Sequence, residues 1–162
     1  MITSGAKTTN NVVILETHGY ELKFYFDFSE NIENYLVKTE IQFLTKAEFL
    51  QRVFVKSPKF IMRLDDLNRL SQYLKDHIKI LETNPDHESY TFVDYSLTYQ
   101  IQALCGEVSS NINASYFSIC SMVNIGRTNP LNTSTYVGGE STINFNQVEN
   151  FITSSETLLS SH

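Results

Sequence analysis

The chain has no tryptophan, and its 162 residues include only three prolines, six glycines and two cysteines. So few cysteines exclude a disulfide-stapled miniprotein. Cys105 and Cys120 belong to no Cys-x-x-Cys pair and to no Cys/His cluster with metal-ligand spacing. So few prolines and glycines exclude collagen-like and low-complexity chains. No apolar run approaches the roughly 18 residues that a membrane helix needs. The sequence also lacks a Gly-x-Ser-x-Gly elbow, a Walker loop, a Gly-x-Gly-x-x-Gly turn and a His-Glu-x-x-His helix. The polar start, Met1 to Asn11, has no secretory apolar core, so the expected compartment is the cytoplasm. What is present is the composition of a folded domain, 41% hydrophobic and 19% charged. A chain of this length buries its core without metal or disulfide. The expectation is a flexible tail over 1–11 and one domain over 12–162.

Charge is divided unevenly along the chain. Residues 1–80 hold eleven of the twelve Lys and Arg and ten of the eighteen carboxylates. Residues 81–162 hold only Arg127 against eight carboxylates. An acidic half repels phosphate backbones, which argues against nucleic acid and suits a basic protein partner.

Alternation with period two marks the strands. Val12 to Glu16 is a short β-branched run, and His18-Gly19 reads as a turn. Tyr20, Leu22, Phe24, Phe26 and Phe28 share one face of the next strand. Tyr35, Val37, Thr39, Ile41 and Phe43 share one face of another. A third strand is expected over Phe49 to Val55, resuming at Phe60 to Met62 after Ser57-Pro58. Leu64, Leu67, Leu70, Leu74, Ile78 and Leu81 form one apolar stripe and predict a helix over 64–81. Strands follow over 90–95, 97–104 and 114–125. Residues 126–141 read as a long polar loop, then Thr142 to Phe145 as a strand fragment. A terminal helix is expected to run to about Leu159, capped by Asn146 with Glu149 completing a capping box. The resulting class is α+β: a single curved antiparallel sheet, with one long central helix and one C-terminal helix packed on one face.

Few side chains point to chemistry. His77 near the end of the long helix reads as a cation at the negative pole of the helix dipole, and Asp65 and Asp66 read as its first-turn counterparts. Asp65 and Arg69 are placed to pair at i,i+4. Gly138-Gly139 reads as a turn, and both cysteines as buried free thiols, with a bridge between them as the alternative if their strands are neighbours. Lys46, Arg52, Lys56, Lys59 and Arg63 read as a solvated strand face. Exposed tyrosines supply protein-contact area at low entropy cost, and Tyr25, Tyr73, Tyr95 and Tyr136 are expected on or near wet faces, Tyr136 being the one in the candidate set. Together with the second-half carboxylates Glu107, Glu140 and Asp94 it forms the candidate partner-binding set. No catalytic residue, metal or cofactor is indicated, and the chain is not expected to be an enzyme. The competing reading is a small-ligand or enzymatic pocket near Asp94, Tyr99 and the 126–141 loop. Self-association through a strand edge into a homodimer is a third.

The layout also resembles the WapI-type bacterial immunity protein family. The matching features are Tyr35-Leu36 opening a strand, the run Phe49 to Val55, and Leu64-Asp65-Asp66-Leu67 opening a helix that continues through Leu70 and Leu74. A strand centred on Tyr99, another through Tyr116 to Val123, and Phe145-Asn146-Gln147 leading into a helix with Phe151 complete it. The likeness spans about 20 to 160. Tyr35 stands where the group often has tryptophan, and the 126–141 segment is longer than in the group. The resemblance implies a non-catalytic protein that binds and neutralises a partner toxin domain.

Overall fold

The computed structural model describes residues 11–30, 32–46, 48, 51–126 and 133–162. The tail expected over 1–11 lies outside these residues except for Asn11, as do Phe49 and Leu50 of the third strand and Arg127 to Asn132 of the polar loop.

The first sheet is built around a meander of β1 (Val12–Glu16), β2 (Tyr20–Asp27) and β3 (Leu36–Thr45). All of its pairings are antiparallel. β4 (Phe54–Lys56) and β5 (Phe60–Arg63) share one edge of β3, the first opposite 42–44 and the second opposite 36–39. Ser57 divides them. Its N–H donates to Ile41 O, and its hydroxyl accepts the Ile41 N–H at 2.9 Å. This bridge keeps the edge of β3 satisfied across the break made by Pro58, which lacks an N–H. The third strand is therefore two short ones.

Leu64 leads into α1 (Asp65–Leu81), where the leucine stripe placed it. Leu67, Leu70, Leu74 and Leu81 are fully buried, and Ile78 is half-buried against the core. A second antiparallel sheet follows, in the order β6 (Phe92–Val93), β7 (Tyr99–Glu107), β8 (Tyr116–Asn124) and β9 (Tyr136–Asn144). α2 (Phe145–Ser160) closes the chain, packed on β1 and α1. Its cap is Asn144 rather than Asn146. The Asn144 side chain accepts the Gln147 N–H at 2.8 Å, and Gln147 Oε1 accepts the Asn144 N–H at 3.0 Å. Gln147 completes the box as well as glutamate would, so the true register begins two residues earlier.

The α+β class and the two helices agree with the sequence pattern, but the strands form two sheets and not one. Alternation reports which side of a strand is buried, not which strand lies beside it. β4 and β5 occupy one edge of the first sheet, and α2 lies along β1 at the other. The later strands pair with one another and turn their apolar face toward the first sheet.

One core lies between. Phe24 of β2 meets Tyr99 of β7 edge-on at 5.2 Å and Phe151 of α2 at 6.2 Å. The Tyr20 hydroxyl lies 2.8 Å from Ser121 Oγ and 3.1 Å from Ile119 O, joining β2 to β8. The β1–β2 turn reaches β9, where His18 N–H donates to Thr142 O at 2.9 Å.

β9 is longer than the expected fragment, because 136–141 are strand and not loop. Gly138 and Gly139 therefore lie mid-strand rather than in a turn. Any Cβ at Gly138 would collide with the backbone carbonyl of Ser121, whereas one at Gly139 would touch only the Phe43 ring at 3.3 Å. We expect Gly138→Ala to lower stability by about 1–3 kcal/mol and Gly139→Ala by clearly less. Denaturant midpoints at unchanged m-value check this; equal losses would refute the close-approach argument.

Candidate functional site

Strand parity divides the expected partner residues. On β9 the odd residues face the core and the even ones face out, so Tyr136, Glu140 and Asn144 lie on the outer face of the second sheet. Register places Glu107 opposite Tyr116, and Tyr116 opposite Asn144, on that same face. Glu107 and Glu140 are thus about 13 Å apart along the strand direction, at about 3.3 Å per residue. Both are exposed. Gln100, Gln102, Ser118, Cys120 and Met122 lie half-buried around them.

Local bonds hold this face in place. The Tyr116 hydroxyl donates to Glu107 at 3.2 Å, and the carboxylate beside it raises the phenol above its ordinary range. The Tyr136 hydroxyl donates to Leu97 O at 2.9 Å. Asn124 Nδ2 donates to that same carbonyl at 3.0 Å. Leu97 has φ 56°, a left-handed conformation that costs a non-glycine residue about 1 kcal/mol. Two donors on its carbonyl help to hold it. Tyr136 therefore leaves part of its ring exposed while its hydroxyl is engaged. Cys120 is half-buried and paired in register with Glu140; burial first, then this carboxylate, raise its thiol. Both cysteines are free. Cys105 is exposed, contrary to the expectation for it, because the irregular pairing between Ala103 and Gly106 turns it outward.

Asp94 is not on this face. It is 1% exposed, and its carboxylate accepts the N–H groups of Thr98 at 2.6 Å, Tyr99 at 2.9 Å and Ser96 at 3.1 Å. It builds the turn before β7 and is removed from partner contact by burial. Burial also raises it to about 6, against those donors and helped by the neighbouring Asp66 carboxylate. Asp66 is likewise fully buried. It pairs with Arg69 at i,i+3 and accepts the Tyr95 N–H at 3.3 Å, so the expected Asp65–Arg69 pair is replaced. Arg69 covers it while lying 4.2 Å over the Tyr95 ring and 5.0 Å over Phe92.

Where the competing reading placed a pocket, Asp94 and Tyr99 are themselves buried. The Tyr99 ring is fully buried among Phe24 and Phe92. Of the adjoining loop, 136–141 belong to β9 and 127–132 lie outside the described residues.

The geometry nearest to catalysis is elsewhere, at His77 and Ser89, of which the sequence does not single out Ser89. His77 is fully buried, not an exposed cation. Leu104 O can only accept, so His77 Nε2 carries the proton across 2.9 Å, and Nδ1 accepts from Ser89 Oγ at 2.8 Å. Ser89 Oγ in turn accepts from His87 Nε2 at 3.2 Å. A serine beside an oriented imidazole is the form of a nucleophile and its base. Burial, however, depresses His77 to about 4, which makes it a weak base. The chain of bonds satisfies buried polar groups and ties α1 to the approach to β6 and to β7. The sequence signal was present: His77 lies one position from the stripe at Ile78, on the buried side of α1.

Compared with protein families, curated proteins and solved structures, the chain matches none.

Two buried groups give the fold opposite responses to acid. His77 titrates near 4 in the folded chain and near 6.5 unfolded, so the unfolded state takes up more protons between those values and stability falls as pH drops through them. Asp94 titrates near 6 folded and near 3.8 unfolded, so the folded state takes up more, and stability rises over much of the same window. We expect the wild-type denaturation midpoint to change little between pH 6.5 and 4 from these two groups. Asp94→Asn should expose the His77 loss, a steeper fall toward pH 4, and His77→Gln the opposite slope. Parallel pH profiles for all three proteins would contradict the assignment.

Proposed function

We propose that this chain is a non-catalytic binding protein whose second sheet meets a basic protein partner on its outer face. The observation that carries this reading is the contrast between the two outer sheet faces. On the first sheet, cations and carboxylates neutralise one another: Lys23 with Glu21 at 2.9 Å, Lys56 with Glu40 at 3.1 Å and Lys46 with Glu16 at 2.7 Å. On the second, Glu107 and Glu140 face outward, and no described residue from Glu82 onward is a lysine or arginine. Around them lie uncharged, half-buried side chains of a rigid sheet. Such a surface loses little on desolvation, and its carboxylates choose the sign of what docks. This suits an immunity-like role in which the partner is a basic toxin domain, met in the bacterial cytoplasm. No described helix is long and apolar enough to cross a membrane.

Charge pairing of this kind acts chiefly on the association rate and fades with salt. The test is capture from the native host, followed by kinetics with the captured protein. Reversing both charges, Glu107→Lys with Glu140→Lys, should slow association about tenfold or more at low ionic strength and flatten its salt dependence. A partner that is acidic, or a rate indifferent to both salt and the double reversal, would remove this reading.

A further inference from the structure

The outer edge of β9 has an uncommon state. In the β8–β9 ladder, Ile125 N–H donates to Thr135 O and Phe145 N–H to Ser115 O, so the odd β9 residues form the hydrogen-bonded pairs. The even residues then direct their N–H and C=O groups away from β8. Thr142 O is taken by His18 N–H. Asn144 N–H is taken by Gln147. Tyr136, Gly138 and Glu140 have no backbone partner on that side among the described residues. Among the described residues, the β1–β2 turn thus fills one end of a strand position and leaves about five residues of it open, some 17 Å at about 3.4 Å per residue.

Edge strands are usually guarded by lysine, proline, a bulge or a covering element. The segment Tyr136 to Asn144 contains neither lysine nor proline, and its pairing with β8 is regular throughout. Beside the open stretch runs a groove of about 400 Å³ lined by Gly19, Tyr20, Phe43, Thr45, Val53 and residues 138–141. Its wall on the first sheet is apolar, formed by Phe43 and by Val53, which is 43% exposed. Among the described residues of the lining, Glu140 is the one that is charged. The two glycines keep the β9 wall low, so a backbone can approach it closely.

We infer that β9 accepts an extended segment of a protein partner as a fifth strand, and that this segment alternates basic and apolar residues. Main-chain bonds to Tyr136, Gly138 and Glu140 would supply affinity. Alternate side chains would supply selectivity: apolar ones turned toward Phe43 and Val53, basic ones turned to the outer face beside Glu140. The commitment to a basic segment rests on the charge reading above and deepens it. A second copy of this chain paired edge to edge would bring its own glutamates onto the same face, so it is the disfavoured occupant.

The probe is a synthetic eight-residue peptide alternating lysine and valine, added to the full chain and followed by amide exchange read residue by residue. The expected result is slower exchange, by about fivefold or more, at the amides of Tyr136, Gly138 and Glu140, with the odd β9 amides unchanged. N-methylation of alternate residues in the peptide keeps its charge and side chains but removes its edge donors; it should weaken binding about tenfold. Glu140→Lys should transfer the preference to the matching peptide of glutamate and valine. Protection of the same amides that rises with protein concentration in the absence of peptide would mean a second copy and overturn the inference. So would binding indifferent to N-methylation. If the peptide protects nothing while the double charge reversal still slows the partner, the edge inference falls and the charge reading stands.

Discussion

The inner face of the first sheet is almost entirely aromatic and aliphatic, and no single element of this chain is wide enough to cover it. Phe24 sits at its centre and touches Tyr99 of the second sheet and Phe151 of the last helix. Such aromatic contacts contribute about 0.5–1.5 kcal/mol each beyond the burial of their area. They can form only if the second sheet, α1 and α2 all converge on one point. The Tyr99 hydroxyl is buried without a partner among the described residues, at a cost of about 1–3 kcal/mol. The ring is kept there because the two sheets need it to meet.

Around that centre, polar groups select one arrangement among those that grease alone would allow. Tyr20 reaches from the first sheet to Ser121 and Ile119 of the second. Tyr73 of α1, expected on a wet face, is buried, and its hydroxyl donates to Tyr90 O at 2.8 Å and accepts the Ala103 N–H at 2.9 Å. Asp94 holds three backbone donors, and His77 bridges α1 to Ser89 and Leu104. Each of these would be expensive to leave unpaired in the interior. Sliding either sheet by one residue would orphan several at once, so the network fixes register where apolar contact would tolerate slippage.

The stiffness this produces leaves the outer surfaces free to differ. One sheet wears a self-neutralised lattice of lysines and glutamates. The other wears amides, hydroxyls, a thiol and two carboxylates with no cation opposite them among the described residues, and ends in a strand whose outward backbone groups those residues match only in part. On the binding role proposed above, such a face and edge would need little further ordering to meet a partner.

Read alone, the sequence determined the period of each element. It marked the leucine stripe of α1 to within a residue, the greasy sides of β2 and β3, and the terminal helix, because burial on one side leaves a trace at every second or every third and fourth position. It also brought Glu107, Tyr136 and Glu140 forward as surface residues of the acidic half. Neighbour relations leave no such trace. That the strands form two sheets, that 136–141 extend β9, that Asp94 and His77 are interior, and that Glu107 and Glu140 share one outer face were decided by tertiary packing. Hydrogen-bond pairing and desolvation act between residues up to 124 positions apart, as His18 and Thr142 are, and local pattern carries no information about which distant group arrives.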